Sequence, residues 1–349
     1  MACIPKRKKG NQTLRDSYLK KALAASTDFA LPFRNETFDV MNWAGTETSN
    51  WKINYYKALF LWHKGRIEEA AELFNLCGDE PANSSFYITR ASFRREHKGD
   101  ALSDYKRAIT LDKNNWRAHH YQINYLNSVP DYKKALVRAS IARLLFKSSY
   151  ILHFDYAKTL MLNDQYQKCL NELEKINLLP NEGAREGHDV YRASYLMLAI
   201  EALAKSKYKD ALKLIEKAKE WPENLGAGKP YDFDLRIEYY LESICHNKMN
   251  DKDKEKNCYA KIEELETKYS NSYNANIYIS ALVKKIRGDE QTALELLKEW
   301  NEKSKNIFSD WAVNQFIARS FIPIDIKSWF VFENDYNSKL VYEIAKQIK

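Results

Sequence analysis

Ten glycines and eight prolines are few for a chain of 349 residues, where the usual combined share is about 12%. So few turn-formers exclude an all-β sandwich and an α/β fold with many tight loops. Long helices joined by short, regular connections remain. Long apolar runs are missing too. No stretch reaches about 18 apolar residues, so a membrane span is not expected, and no apolar segment follows the N-terminal charges as a secretion signal requires. The expected location is cytoplasmic. The five cysteines, Cys3, Cys77, Cys169, Cys245 and Cys258, lie far apart without Cys-x-x-Cys spacing. That pattern fits free thiols in a reducing compartment and no zinc site. Neither sign of charge dominates: 55 basic residues face 47 acidic ones, a net +8 mixed along the chain. A nucleic-acid binder more often carries a clustered basic stripe. The one dense basic run, Lys6-Arg7-Lys8-Lys9, reads as a solvated N-terminus in preference to a localisation signal or a phosphate-binding arm.

What the chain does have is apolar surface and an internal period. Its 45% hydrophobic and 13% aromatic content excludes global disorder. A small residue followed four positions later by a larger one, and three later by another apolar residue, recurs along the chain. The series is Ala70/Phe74/Cys77, Ala101/Tyr105/Ala108, Ala135/Ala139/Ala142, Cys169/Leu173/Ile176, Ala211/Ile215/Ala218 and Ala293/Leu297/Trp300, with a weaker member Glu255/Tyr259/Ile262 in the gap. First positions are spaced 31, 34, 34, 42, 44 and 38 residues apart, as in a repeat with drifting loop lengths. Pro81, Pro180 and Pro222 fall eleven residues after the first position, and Ala58, Ala157, Ala199, Ser243 and Ala281 twelve before it. Gly65 and Gly288 stand five before. Each repeat is therefore expected to be two helices around a tight turn, with small residues facing one another. Ala157 and Ala199 sit where paired helices should meet. One such hairpin cannot bury its apolar face alone, so stacking has to stabilise it.

On the 34-residue period and the Gly65…Ala70-x3-Phe74…Pro81 signature, residues 50–305 resemble a tetratricopeptide repeat array. The resemblance implies an all-α, right-handed superhelical solenoid of about seven hairpins with capping helices at both ends. The organisation expected is 1–49 as N-terminal tail and capping helix, 50–305 as the array, and 306–349 as a C-terminal capping segment. Trp and Gly are mostly absent from the first-helix consensus positions, and Glu255 fills a slot that should be small. A narrower likeness lies in Cys77-Gly78-Asp79-Glu80-Pro81, Trp116-Arg117-Ala118-His119-His120, Trp221-Pro222-Glu223-Asn224-Leu225-Gly226 and Gly228-Lys229-Pro230-Tyr231-Asp232. These strings resemble the C-terminal tetratricopeptide tails of large bacterial proteins that carry an N-terminal domain of unknown function. Neither likeness supplies catalytic residues.

The ends depart from the period. Residues 13–26, 309–319 and 336–347 read as helices, Phe38–Trp43 as an apolar turn. Phe321-Ile322-Pro323-Ile324 and Trp329-Phe330-Val331-Phe332 read as cover for the last repeat or, less economically, as an open interaction patch.

No motif for chemistry survives inspection. Gly226-Ala227-Gly228-Lys229 fails as a phosphate loop, because Glu223 stands where the first glycine belongs and Pro230 follows the lysine. It reads as a long insertion between repeats. His119 and His120 point about 100° apart on a helix and cannot chelate one metal. Cys245 and Cys258 belong to one repeat and read as packing. No metal, cofactor or catalytic residue is expected.

A groove remains. In arrays of this kind the first helix of each pair lines the concave surface, and its inward positions here are Lys52, Tyr55, Trp62, Arg117, His120, Asn124, Asn127, Phe154, Lys158, Tyr240, Asn247, Tyr278 and Lys285. Aromatics with amide and basic neighbours, and no acids, suit an extended peptide or sugar-like chain. The plainer reading is a solvated face without a ligand. The family's carboxylate clamp is absent: Tyr55/Leu59 and His120/Asn124 do not match it, and Asp155 and Ala193 replace required Asn and Lys. The expected function is a non-enzymatic protein-interaction scaffold whose concave groove takes a protein or peptide partner, with neither nucleic acid nor membrane as target. The alternative is an accessory module of a larger carbohydrate- or polymer-processing enzyme whose catalytic domain is separate or lost.

Overall fold

The computed structural model describes residues 12–27, 31–181, 183–325 and 335–347. Cys3, the basic run at residues 6–9 and the apolar run at 329–332 lie outside them. Among the described residues there are eighteen α-helices and no strand, an all-α helical-repeat solenoid. α1 (Gln12–Ala24) and α2 (Asn35–Glu47) precede seven hairpins. These pair α3 (Trp51–His63) with α4 (Ile67–Leu76), α5 (Ser84–Glu96) with α6 (Leu102–Leu111), and α7 (Trp116–Ser128) with α8 (Tyr132–Leu145). Then come α9 (Tyr150–Leu162) with α10 (Tyr166–Leu173), α11 (Glu186–Ala204) with α12 (Tyr208–Ala218), α13 (Arg236–Lys248) with α14 (Lys252–Lys268), and α15 (Asn276–Ile286) with α16 (Glu290–Ser304). α17 (Ile307–Ile317) and α18 (Tyr336–Gln347) follow.

All seven turns share one device. The amide three residues past each first helix's end donates back to a carbonyl five residues earlier: Arg66 to Leu61, Gly99 to Arg94, Asp131 to Leu126, Gln165 to Leu160, Lys207 to Ala202, Asp251 to His246 and Asp289 to Lys284. In six of the seven this Schellman closure places the preceding residue in the left-handed region; the third turn has Pro130 there, whose ring forbids it. Gly65 and Gly288 sit there with φ of 73° and 89°, but Lys98, Asp164, Ser206 and Asn250 adopt it as well, with φ of 58–59°. Left-handed backbone costs a residue with a Cβ about 1–2 kcal/mol, partly offset by the chain entropy that glycine loses on folding. Ser206→Gly, at an exposed turn, is therefore expected to stabilise the protein by about 0.5–1 kcal/mol. Chemical denaturation checks it, and an unchanged midpoint would mean that the turn carries no strain.

Every residue of the small–large–apolar series is buried, from 0% exposed for Ala70, Ala135 and Ala211 to 8% for Glu255. Ala58, Ala157, Ala199, Ser243 and Ala281 are each at 0%. The frame read from sequence is the packing frame. Glu255 survives in its small-residue slot because Asn247 Nδ2 (2.7 Å), Tyr259 OH (3.2 Å) and Lys252 Nζ (2.9 Å) all donate to its carboxylate.

Residues 38–43 are helix, not turn. They lie in α2, where Met41 and Ala44 are buried and Phe38 stacks on Phe60 at 4.6 Å. By packing the chain divides into two compact units, Met1–Ala118 and His119–Lys349. The capping helices share the cores of the repeats that they cover: α2 rests on α3, α17 on α16, and α18 joins the core of the second unit.

Within the second unit α9, α11, α13 and α15 touch one another in succession, while each second helix packs mainly on its own partner and on the next first helix. The first helices thus form the inner surface. α18 lies across it, against α11 foremost and also α13 and α15. Its Tyr336, Leu340, Val341 and Ile344 are 4% exposed or less, spaced at i, i+4, i+5 and i+8 as one helical face requires.

Candidate functional site

The inner surface holds most of the groove residues read from the sequence, and the structure spends many of them internally. Tyr55, Asn127, Lys158, Tyr240 and Tyr278 are 9% exposed or less. Tyr55 packs among Trp51, Phe74 and Phe86. Tyr278 stacks on Trp311 at 5.9 Å, and Tyr240 belongs to the same core. Burial raises the pKa of both hydroxyls. Trp311 of α17 covers Tyr278 on a face that the repeat pattern alone leaves open. Lys52 Nζ donates to the Leu23 and Ala25 carbonyls, both at 2.6 Å, and so closes the end of α1. Asn247 is held by Glu255. Among the rest, Arg117 and Lys285 are exposed, and Trp62 and Phe154 half-buried.

Polar side chains cross from each first helix to the next in the second unit. His120 Nδ1 lies 2.7 Å from Asp155 Oδ2, and Asn124 Nδ2 lies 3.4 Å from Asp155 Oδ1. Asn127 Nδ2 donates to Thr159 Oγ1 at 3.0 Å, and Lys158 pairs with Glu186. Arg192 pairs with both oxygens of Glu238, the Nη2–Oε2 bond being 2.8 Å, and Arg236 Nη1 donates to Ser280 Oγ at 3.0 Å. Arg192 and Glu238 are 4% and 0% exposed. Burial opposes the charge on Arg192, and Glu238 more than offsets it, so the guanidinium stays ionised. The repeat-to-repeat ladder fixes which helix meets which, at the price of donors that a ligand would otherwise use.

Beside the N-terminus of α18 the inner surface opens into a polar cavity of about 260 Å³. Arg185, just before α11, and Asp189 and Arg192 on it form one side, the segment before α13 contributes Asp232, Phe233 and Asp234, and Asn276 and Asp335 line it as well. The insertion that resembled a phosphate loop builds this wall. Gly226, at φ 66°, closes a short 3-10 turn, and Asn224 bolts the loop down: its Nδ2 donates to the Leu173 and Ile176 carbonyls, both at 2.9 Å. Next to the cavity His188 stacks face to face on Trp221, 3.4 Å between centroids and 6° between planes.

His188 is 1% exposed. Burial pulls its pKa below the ordinary 6.5, against a weaker opposite pull from Asp189. The unfolded chain then binds this proton more readily than the folded one. The stability that neutral His188 contributes is present above about pH 6.5 and lost as pH falls below it. His188→Phe, which keeps the stack on Trp221, is expected to flatten part of the fall in melting temperature between pH 7 and pH 5. The remaining slope belongs to other groups such as His246, lowered likewise by burial. Identical pH profiles for the two chains would show that His188 is not held neutral.

Cys77, Cys169, Cys245 and Cys258 are free and buried, and burial pushes the Cys169 thiol up to about 12. Among the described residues no cluster of three or more His, Cys, Asp or Glu is placed to hold a metal, and no helix is long and apolar enough to cross a membrane.

The sequence reading missed Arg185, Asp189, Arg192, Asn276 and Asp335. Its one available signal was Asp232-x-Asp234-x-Arg236 at the end of the insertion, where a charged triplet enters a helix.

Stacked hairpins with small-residue seams and an inner polar ladder define a helical-repeat protein. Among solved structures, a tetratricopeptide repeat protein from Parabacteroides merdae matches with a TM-score of 0.53 and 15% identity, over 77% of this chain and 99% of that one. The fold is that of the tetratricopeptide repeats. Naa15/Naa10 bound to HypK-THB and yeast Tom70 each overlap 88% of this chain, with TM-scores of 0.43 and 0.41, identities of 13% and 14%, and 44% and 61% of those chains covered. No family model matches the chain, and no curated protein matches it at a significant level.

Proposed function

We propose that the chain is a non-enzymatic protein-interaction scaffold that receives a helical segment of a protein or peptide partner along α11, α13 and α15. The observation that carries this reading is α18, an amphipathic helix that lies across that surface in cis. A surface that buries Tyr336, Leu340 and Ile344, at i, i+4 and i+8, to 4% exposure or less has the form of a helix-in-groove site, where anchors on one helical face enter an apolar groove. Polar contacts set the register: Lys339 Nζ meets Asp164 Oδ1 at 2.8 Å, and Arg192 Nη1 donates to Asn337 Oδ1 at 2.7 Å. A tethered helix competes at an effective concentration of order millimolar, so a partner gains access when α18 is displaced. Lys285, exposed on α15, remains as a further contact point for a partner.

A fluorescent peptide of residues 335–347 tests the reading. It should bind a chain carrying Val341→Asp, whose own helix is driven out, and bind the unaltered chain far more weakly. Failure to bind either chain would remove the groove as a helix receptor.

A further inference from the structure

The outer side of α8 has a composition that its fold does not require. Val137, Ile141, Leu144 and Leu145 stand at i, i+4, i+7 and i+8, so they share one helical face, and each is 42–62% exposed. The seam of this hairpin lies on the opposite side, in Ala135, Ala139 and Ala142, all buried. Elsewhere in the second unit the corresponding outer positions are polar. Two and six residues after the residue that begins each seam, α12 exposes Lys213 and Lys217, α14 Asn257 and Lys261, and α16 Glu295 and Glu299. At those two places α8 exposes Val137 and Ile141. A contiguous run of aliphatic side chains on such a surface marks a contact site. Rows at i, i+4 and i, i+3 are also the ridges against which a second helix packs.

The charges around the stripe define its partner. Residues 132–148 contain five basic residues and no Asp or Glu. Two of the five are matched, Lys134 by Asp131 at 2.7 Å and Arg143 by Glu172 at 2.6 Å. Lys133, Arg138 and Lys147 are exposed and pair with no carboxylate among the described residues. At 3.6 residues per turn Lys133 and Arg138 fall on opposite sides of the stripe, and Lys147 follows its C-terminal end. A second copy of this chain would bring these like charges together across a two-fold contact. An anionic bilayer suits clusters of about four to eight basic residues with aromatic anchors, whereas the stripe has three unpaired cations beside it and no aromatic ring in it. We propose that the outer face of α8 docks an amphipathic helix of a partner protein, aliphatic along one face and carrying carboxylates beside that face. The partner helix packs on Val137, Ile141 and Leu144 and pairs with Lys133, Arg138 and Lys147. This face is separate from the helix-receiving surface on α11, α13 and α15 and shares no residue with it.

Fluorescence anisotropy on the full chain tests the assignment with a designed amphipathic helix that carries leucines at i, i+3, i+4 and i+7 and glutamates beside them. The control is the same peptide with lysine at every glutamate. The glutamate peptide should bind at least about tenfold more tightly, with affinity falling as salt rises. Ile141→Gln with Leu144→Gln should weaken it about tenfold at an unchanged melting temperature, since both side chains are exposed. Arg138→Glu with Lys147→Glu should reverse the preference between the two peptides. Equal binding of both peptides, no binding up to about 1 mM, or binding that neither double variant alters would overturn the proposal. So would sedimentation of the chain with phosphatidylserine vesicles that Ile141→Gln with Leu144→Gln abolishes, which would make the face a membrane contact. A dimer that the same substitutions dissolve would overturn it as well, by assigning the face to a second copy.

Discussion

Arg192→Ala is expected to destabilise the second unit by about 3–5 kcal/mol, the usual cost of removing one partner of a fully buried ion pair. The loss is large because Glu238, at 0% exposure, keeps its charge or takes up a proton in place, and water cannot reach it. A pH signature separates this cause from simple loss of volume. In the variant the unpaired Glu238 should have a pKa above its unfolded value of about 4.3. Its protonated form is then favoured in the folded state, so the defect is smallest in acid and deepens as pH rises through the raised value. Thermal denaturation from pH 4 to pH 8 reads both effects. Arg192→Met combined with Glu238→Leu should recover most of the loss, since well-packed apolar residues often replace a buried pair without penalty. A pH-independent defect, or a double variant no better than the single one, would mean that the pair contributes through shape alone.

Val341→Asp should have the second large effect, of a different kind. Val341 is 0% exposed within α18, and an unpaired carboxylate there costs several kcal/mol. The hairpins beneath have their own seams of buried small residues, so the cheaper response is release of α18 with the repeats still folded. Unfolding followed by circular dichroism should then keep nearly native helix content, while trypsin cleaves at Lys339 and Lys346 much faster than in the unaltered chain. Acid should act in the same direction. Burial works the other way, but the Lys339 ammonium holds the Asp164 carboxyl below its usual value, so this tie stabilises the docked helix above about pH 4 and is lost as pH falls further. If Val341→Asp unfolds the whole second unit in one transition, α18 is part of the core that the repeats need in order to fold.

The hairpins were legible because small residues must recur wherever two helix backbones approach, and that spacing is written directly in Ala70, Ala101, Ala135, Cys169, Ala211 and Ala293. The turns were only half legible. Gly65 and Gly288 advertise a left-handed residue, whereas Asp164, Ser206 and Asn250 adopt the same conformation under the Schellman closure without a compositional mark. Which residues of the first helices stay open was not legible. Tyr240 and Tyr278 carry the same period whether or not the C-terminal helices cover them. Covering depends on contacts such as Arg192 with Asn337, 145 residues apart, which no local period encodes. The cavity was invisible for the same reason: its walls come from an insertion, a first helix and the start of α18, each unremarkable alone.

The account rests on α18 lying in the groove of the second unit, and hydrogen exchange read by mass spectrometry on the intact chain tests this most directly. Amides of residues 340–346 should exchange as slowly as those of α13, and the inner faces of α11 and α15 should gain exchange in Val341→Asp but not in a surface control such as Lys346→Ala. Exchange of residues 340–346 at the rate of a free peptide, with α11 and α15 unaffected by Val341→Asp, would contradict the docked helix and with it the proposed receptor surface.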